Sequence, residues 1–231
     1  MSERVVYVVN GSISSWRALL CLYEKGLDCR AQRLRVMREP RETRSPEFLA
    51  INPRGKAPVL VEPDGVVVNE SFAILDFIER RYPAPPLVSK EPRAMARELS
   101  LSHEAETFAC AYEGLEALFE RDSGAMSEDE RRSIAGCLAA VEWELDLWEK
   151  RASESTFITG DALSMADVSF YPTLAYMLRR GLSLEERPAL DAYQRRMRER
   201  PACAKAFPEG WTHAVGKRDL FALARSCANN R

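Results

Sequence analysis

Over the first eighty residues the apolar positions switch between two periods. The β-branched run from Arg4 to Val9 reads as a strand, and Ser15 to Lys25 then places Trp16, Leu19, Leu20 and Tyr23 at helical spacing before stopping at Gly26. Residues 28 to 36 are extended again, which makes a βαβ unit with parallel strands, since a helical crossover returns the chain in its original direction. After a charge-rich stretch from Arg38 to Arg44, a short helix is predicted from Ser45-Pro46 to the residue before Pro53. Val59 to Glu62 and Val66 to Val68 flank Pro63-Asp64-Gly65, a hairpin whose Asp-Gly supplies the positive φ that the turn demands. A helix from Ser71 to Tyr82 closes the segment.

The order β-α-β, short helix, β-β-α is that of a thioredoxin-like α/β domain, expected over residues 1–82. Pro83, Pro85 and Pro86 interrupt the pattern, so 83–92 reads as a linker, and 93–231 as an all-helical bundle without strand signals. Long helices are predicted over 93–122 and 128–151. In the second, Ile134, Leu138, Val141, Leu145 and Trp148 recur at spacings of four and three, the seam of a bundle. In Leu163-Ser164-Met165-Ala166-Asp167-Val168, Ser164 caps a buried helix running to Arg180, Asp167 bonds back to it, and Leu163 staples onto Val168. Loss of that cap would cost about 1 kcal/mol or more.

Composition narrows the function classes. With 231 residues and 46% hydrophobic content the chain can bury one large core or two smaller ones. Lys and Arg total 33 against 35 Asp and Glu, so a net charge of −2 offers nothing to nucleic acid or to an anionic membrane, and a small, nearly neutral ligand fits better. Cys21, Cys29, Cys110, Cys137, Cys203 and Cys227 form no Cys-x-x-Cys pair, and only His103 and His213 accompany them, which argues against a metal site and a disulfide framework. The apolar run ending at Val9 is too short for a signal peptide and no stretch reaches membrane-spanning length, so a reducing, cytoplasmic setting is expected.

Two features carry candidate chemistry. The first is Asn52-Pro53-Arg54-Gly55-Lys56-Ala57-Pro58 leading into an apolar strand, followed by Asn69-Glu70-Ser71 at the start of a helix. A proline at a strand entrance cannot donate to the ladder and often follows a cis bond, and a helix start favours an anion, so the pair reads as a peptide-binding edge beside a carboxylate cradle. The second is Asn10-Gly11-Ser12-Ile13-Ser14-Ser15-Trp16-Arg17, between the first strand and its helix. Redox members of the thioredoxin-like fold carry cysteines in this loop. A serine cannot exchange disulfides, but it can donate a hydrogen bond to a ligand's thiolate. Lowering a thiol pKa from about 8.5 by roughly two units needs about 2.7 kcal/mol of differential stabilisation, which one charge-assisted bond and a helix dipole can supply. The plainer reading takes Ser12 as a loop residue, Ser14 or Ser15 as a helix cap and Arg17 as a solvated or salt-bridged surface cation.

Ser12 ahead of Trp16-Arg17, Asn52 to Pro58, Asn69-Glu70-Ser71, and Ser164 to Asp167 together resemble a cytosolic glutathione transferase of the serine type. Arg200-Pro201 and Pro208-Glu209-Gly210-Trp211 with Val215-Gly216 resemble the rho class, and the theta, zeta and tau classes share the serine logic. The resemblance implies that Ser12 holds the glutathione sulfur as thiolate, that Pro58 is the cis-proline, and that Ala57 pairs with the cysteinyl backbone. It implies that Glu70 meets the γ-glutamyl ammonium, Ser71 its carboxylate, and Lys56 the glycyl carboxylate. Related classes carry a histidine where this chain has Thr43, and Arg44 beside it is the expected replacement. Ile13 stands where rho-like sequences often have proline. Ser14 stands where zeta enzymes have cysteine, which argues against maleylacetoacetate isomerase chemistry. Ile13, Phe108, Tyr112 and Trp211 are candidate liners of an electrophile pocket, although helical aromatics are more often core.

The implied enzyme conjugates glutathione to hydrophobic electrophiles as a homodimer, with no metal and no cofactor beyond glutathione. A non-catalytic scaffold or ligand carrier of the same fold is the rival reading. A thiol oxidoreductase would need a cysteine at the Ser12 position.

Overall fold

The computed structural model describes residues 3–116, 118, 126–211 and 219–229. It falls into two units, Met1–Val88 with Arg198–Thr212, and Ser89–Met197 with His213–Arg231. The first holds a four-stranded mixed sheet of β1 (Val5–Val8), β2 (Arg30–Arg33), β3 (Val59–Val61) and β4 (Val67–Asn69) in the order β2-β1-β3-β4. β1 and β2 are parallel, as the βαβ reading requires; β1–β3 and β3–β4 are antiparallel. Gly65, at φ +88°, makes the hairpin turn. The fold is thioredoxin-like, with α1 (Ile13–Glu24), α2 (Pro46–Ile51) and α3 (Ser71–Arg81), and a single 3-10 turn at Glu42–Arg44 ahead of α2. Val6, Val8, Val59 and Leu60 from the sheet are buried, as are Trp16, Leu20 and Leu22 of α1 and Ile74, Leu75 and Ile78 of α3.

The second unit is helical: α4 (Pro92–Glu116), α5 (Glu128–Glu154), α6 (Met165–Arg179), α7 (Pro188–Arg198) and α9 (Leu220–Asn229). α7 reaches Arg198, where the chain passes to the first unit. Met165 to Leu174 are all buried, because α6 is enclosed by its neighbours rather than laid on a surface. Of the predicted seam on α5, Ile134, Val141, Leu145 and Trp148 are buried and Leu138 is half-buried. Trp148 stacks on Phe170 at 4.0 Å. Asp167 accepts from the amides of Ser164 and Ile158, both at 2.9 Å, and from the Ser164 hydroxyl, so the expected capping box also ties down the preceding loop.

Between α7 and α9 the chain forms α8 (Pro201–Ala206), which belongs to the first unit and packs on α1. Arg200, its cap residue, gives two hydrogen bonds of 2.7 Å to the buried carboxylate of Glu24 at the end of α1. On the sheet, Glu62 accepts from Arg4 Nε at 2.6 Å and from the Tyr82 hydroxyl at 2.6 Å.

Helix boundaries differ from the sequence reading at several ends: α1 begins two residues earlier, because Ser12 caps it, and stops at Glu24; α4 spans Pro92–Glu116, with Leu118 of the predicted 93–122 helix in a turn; and α5 runs three residues further. Residues 117 and 119–122 of the predicted long helix, and Val215-Gly216, lie outside the described residues.

Candidate functional site

The sheet register brings the chemistry to one end. Tyr7 pairs with Val59 and Val59 with Asn69, so one step further along each strand lie Val8, Pro58 and Glu70 side by side. Neighbouring strands are about 4.8 Å apart, which sets these three chain ends within ~10 Å. The loop carrying Ser12 leaves from the same end of β1.

Ser12 is the N-cap of α1. Its Oγ accepts from the Ser15 amide at 3.4 Å, its carbonyl accepts from Trp16 N at 2.9 Å, and its amide donates to Val9 O at 3.1 Å. Ser15 plays a different part, because its Oγ accepts from Val9 N at 3.1 Å and closes the strand onto the helix. A hydroxyl has one hydrogen and two lone pairs, so capping through the oxygen leaves the hydrogen of Ser12 free to donate. The capping role and a thiolate-binding role are therefore compatible in one side chain. The first amides of α1 add a partial positive charge at the same place.

The segment before β3 is shaped by Asn52, which is buried. Its Nδ2 donates to Lys56 O at 2.7 Å and its Oδ1 accepts from Arg54 N at 3.1 Å. Gly55 has φ +62°, and a Cβ there would stand 2.8 Å from both Thr43 O and Arg44 Nη1. The guanidinium of Arg44 thus lies against Gly55, next to Lys56, and both cations are exposed, whereas Thr43 is buried in the 3-10 turn. The Ala57–Pro58 peptide is cis, and Pro58 is buried with Ala57 half-buried.

Glu70 has φ +68° and ψ 129°, the one positive φ outside glycine among the described residues. Such a conformation costs about 1–3 kcal/mol and persists only where the surroundings hold it. It caps α3 without a side-chain bond, leaving its carboxylate exposed, and Ser71 follows as the first residue of the helix. Ser71 is buried, and its Oγ accepts from Arg17 Nη1 at 3.3 Å. Arg17 corrects the surface reading: it is wholly buried, with its guanidinium 4.4 Å from the centre of the Phe72 ring. A helix N-terminus with a buried cation behind it is an anion cradle.

The four pocket candidates separate. Ile13 is half-buried on the first residue of α1. Trp211 is half-buried in the same unit, edge-on to Trp16 at 5.6 Å and lying over Gly11. Phe108 and Tyr112 are core residues of the helical unit. Phe108 is fully buried beside the stacked Trp148 and Phe170 rings, and Tyr112 stacks on Phe221 at 5.7 Å. Burial, with the Glu116 charge beside it, pushes the Tyr112 hydroxyl far above the ordinary tyrosine range, so it stays neutral. Among the described residues no group of three or more His, Cys, Asp or Glu side chains could hold a metal, and no helix is long and apolar enough to cross a membrane.

Family models agree with both units: residues 11–81 match the N-terminal domain of glutathione S-transferase and residues 131–196 its C-terminal domain. The chain is 28% identical over 222 residues to glutathione S-transferase A of Pleuronectes platessa, covering 92% of this chain and 94% of that one. It is 30% identical over 211 residues to maleylacetoacetate isomerase of Pseudomonas aeruginosa, covering 88% and 95%. The crystal structure of a glutathione S-transferase from the Antarctic clam Laternula elliptica superposes with a TM-score of 0.84 at 28% identity, over 96% of this chain and 100% of the other.

Proposed function

Since the chain belongs to the cytosolic glutathione transferase family, we propose that it binds glutathione at the described end of its sheet and conjugates the sulfur to small hydrophobic electrophiles. A glutathione-dependent activity of the transferase or isomerase kind is what its relatives support. The observation that carries the finer reading is Ser12, a helix-capping hydroxyl whose hydrogen is left to donate, at the same end of the sheet as Pro58 and Glu70-Ser71.

In this reading Ser12 donates to the glutathione sulfur, and with the dipole of α1 it holds the thiolate at neutral pH. The thiolate forms a carbon–sulfur bond with the electrophile, and the leaving group departs with its electron pair, or in an addition the adduct takes a proton. Ala57 offers its backbone to the cysteinyl part, in the manner of an added strand. Glu70 takes the γ-glutamyl ammonium, and Ser71, backed by Arg17, takes the carboxylate. Lys56 and Arg44 meet the glycyl carboxylate, Arg44 standing in for the histidine of related classes. Ile13 and Trp211 are apolar surface for the electrophile. No metal or redox cofactor enters this scheme. Family resemblance supports a cytoplasmic homodimer with a part in detoxification.

A second reading, isomerisation, is carried by the 30% identity to the Pseudomonas aeruginosa isomerase. Ser14 weighs against it, standing where zeta enzymes have cysteine. The two separate in parallel assays of purified protein, one with chlorodinitrobenzene and one with maleylacetoacetate, alongside retention on immobilised glutathione. Conjugation with retention is expected. Retention with isomerisation alone would favour the second reading, and absence of retention would point to a scaffold.

A further inference from the structure

The segment that follows α8 reaches back across almost the whole chain to the loop carrying Ser12. We propose that Asn10, Glu209 and Trp211 act as a clamp of positioning residues that sets the Ser12 hydroxyl for its reaction, an inference that rests on the role given to Ser12 above.

Asn10 uses both ends of its side-chain amide on one residue. Its Nδ2 donates to Glu209 O at 3.0 Å, and its Oδ1 accepts from Glu209 N at 3.1 Å, a pairing across 199 positions. Two reciprocal bonds to a single backbone fix orientation as well as distance. Two residues on, Trp211 covers Gly11: a Cβ on Gly11 would lie 2.8 Å from Trp211 Cζ2 and 3.2 Å from Cε2 and Nε1. Gly11 also has φ +78°, so glycine is needed there both for the backbone turn and for the indole that closes over it. The indole is itself held at near right angles by Trp16, at 5.6 Å, and by Phe207, at 6.3 Å.

Ser12 lies between these anchors. Upstream are Asn10 and Gly11, held by Glu209 and Trp211; downstream is Trp16, whose amide donates to Ser12 O at 2.9 Å. The cap contact of the Ser12 side chain, at 3.4 Å, is long for a hydrogen bond and holds the hydroxyl only loosely. A group that must meet a reacting atom has to be held within ~0.5 Å of its productive position. Local bonds from Val9, Ser15 and Trp16 hold Ser12 itself, and the residues around position 210 add to them by fixing Asn10 and Gly11 just ahead of it and the Trp16 ring just after it, rather than by acting on the tripeptide positions at Pro58 and Glu70-Ser71. Loosening the clamp should therefore affect the handling of the sulfur more than the affinity for glutathione.

The test compares full-length wild type with Asn10→Ala, Trp211→Ala, the conservative Trp211→Phe, and a control, Lys205→Ala. The control, in the preceding helix α8, breaks the exposed pair with Asp28 and a contact over Tyr23. Two readouts are taken: amide hydrogen exchange over residues 9–16 without ligand, and the pH profile of kcat/KM with chlorodinitrobenzene, with KM for glutathione measured separately. Asn10→Ala and Trp211→Ala should exchange about tenfold faster over that loop, shift the profile to higher pH, and lose about tenfold in kcat with KM within about twofold. Trp211→Phe should recover most of both readouts, and Lys205→Ala should match wild type. Loop exchange and pH profiles that coincide with wild type would overturn the clamp. Faster exchange with an unmoved profile would also overturn it, leaving a purely structural contact. A wild type with no glutathione-dependent turnover would instead remove the role of Ser12, and with it this inference, which makes the two failures distinguishable.

Discussion

Arg17 donates from Nη1 to the Oγ of Ser71 at 3.3 Å, and both residues are buried. A cation in the interior is costly unless its surroundings compensate it, and here the compensation includes a hydroxyl at the start of α3 and the face of Phe72. Arg17→Ala should lower stability by about 3 kcal/mol through lost packing and lost hydrogen bonding. It should also raise KM for glutathione, because Ser71 loses its support. Arg17→Lys should recover little of either, since an ammonium cannot reproduce the planar guanidinium over the ring. Urea denaturation and steady-state kinetics of the two variants check this.

Glu70 should show stability and function in opposition. Its φ of +68° is strained for any residue with a Cβ. Glu70→Gly removes that strain, offset in part by the freedom of glycine in the unfolded chain, for a net gain of about 1 kcal/mol. The same change removes the carboxylate proposed to hold the γ-glutamyl ammonium. A thermal melt should therefore move up while retention on immobilised glutathione falls; a melt that moves down would contradict the strain.

Asp167 accepts two buried backbone amides, from Ser164 and Ile158, and an amide left without a partner costs about 1–3 kcal/mol. Burial pushes its carboxyl above the ordinary aspartate range, with the donated bonds opposing that rise, so desolvation offsets part of their benefit. Asp167→Ala should destabilise by about 2 kcal/mol, measured by chemical denaturation, without altering the affinity for glutathione.

Glu62 gives the first unit an acid-sensitive element. Burial alone would raise its carboxyl, but the bonds from Arg4 and Tyr82 and the Arg4 charge outweigh it, and the pKa lies below the ordinary glutamate value. A carboxyl that is lower in the folded state stabilises fully above its unfolded pKa and loses that contribution as pH falls through the folded one. Glu62→Gln should thus be less stable than wild type by about 3 kcal/mol at neutral pH, the gap closing as pH falls below about 5. A gap that stays constant into acid would remove the ion pair as its source.

What was legible in the sequence was local. The Asp64-Gly65 turn, the Ser164 to Asp167 box and the cis bond before Pro58 each depend on a few adjacent residues, and each stands where the pattern put it. The burial of Arg17 was not legible, because an arginine in an amphipathic helix reads as solvated until the packing around it is known. Nor was the pairing of Asn10 with Glu209, since nothing near either residue announces a partner 199 positions away. Phe108 and Tyr112 show the same limit: helical spacing marks an aromatic face but does not say whether it meets solvent or core.

The central claim is that Ser12 holds the glutathione sulfur as thiolate. It is tested most directly by titrating the thiolate absorbance of glutathione bound to wild type and to Ser12→Ala, with turnover of chlorodinitrobenzene measured on the same samples. The account predicts a bound-thiol pKa roughly two units below the free value of about 8.5 in wild type. In Ser12→Ala that shift should be mostly lost, with at least a roughly tenfold fall in turnover at neutral pH. A Ser12→Ala protein that keeps both the lowered pKa and full turnover would contradict it.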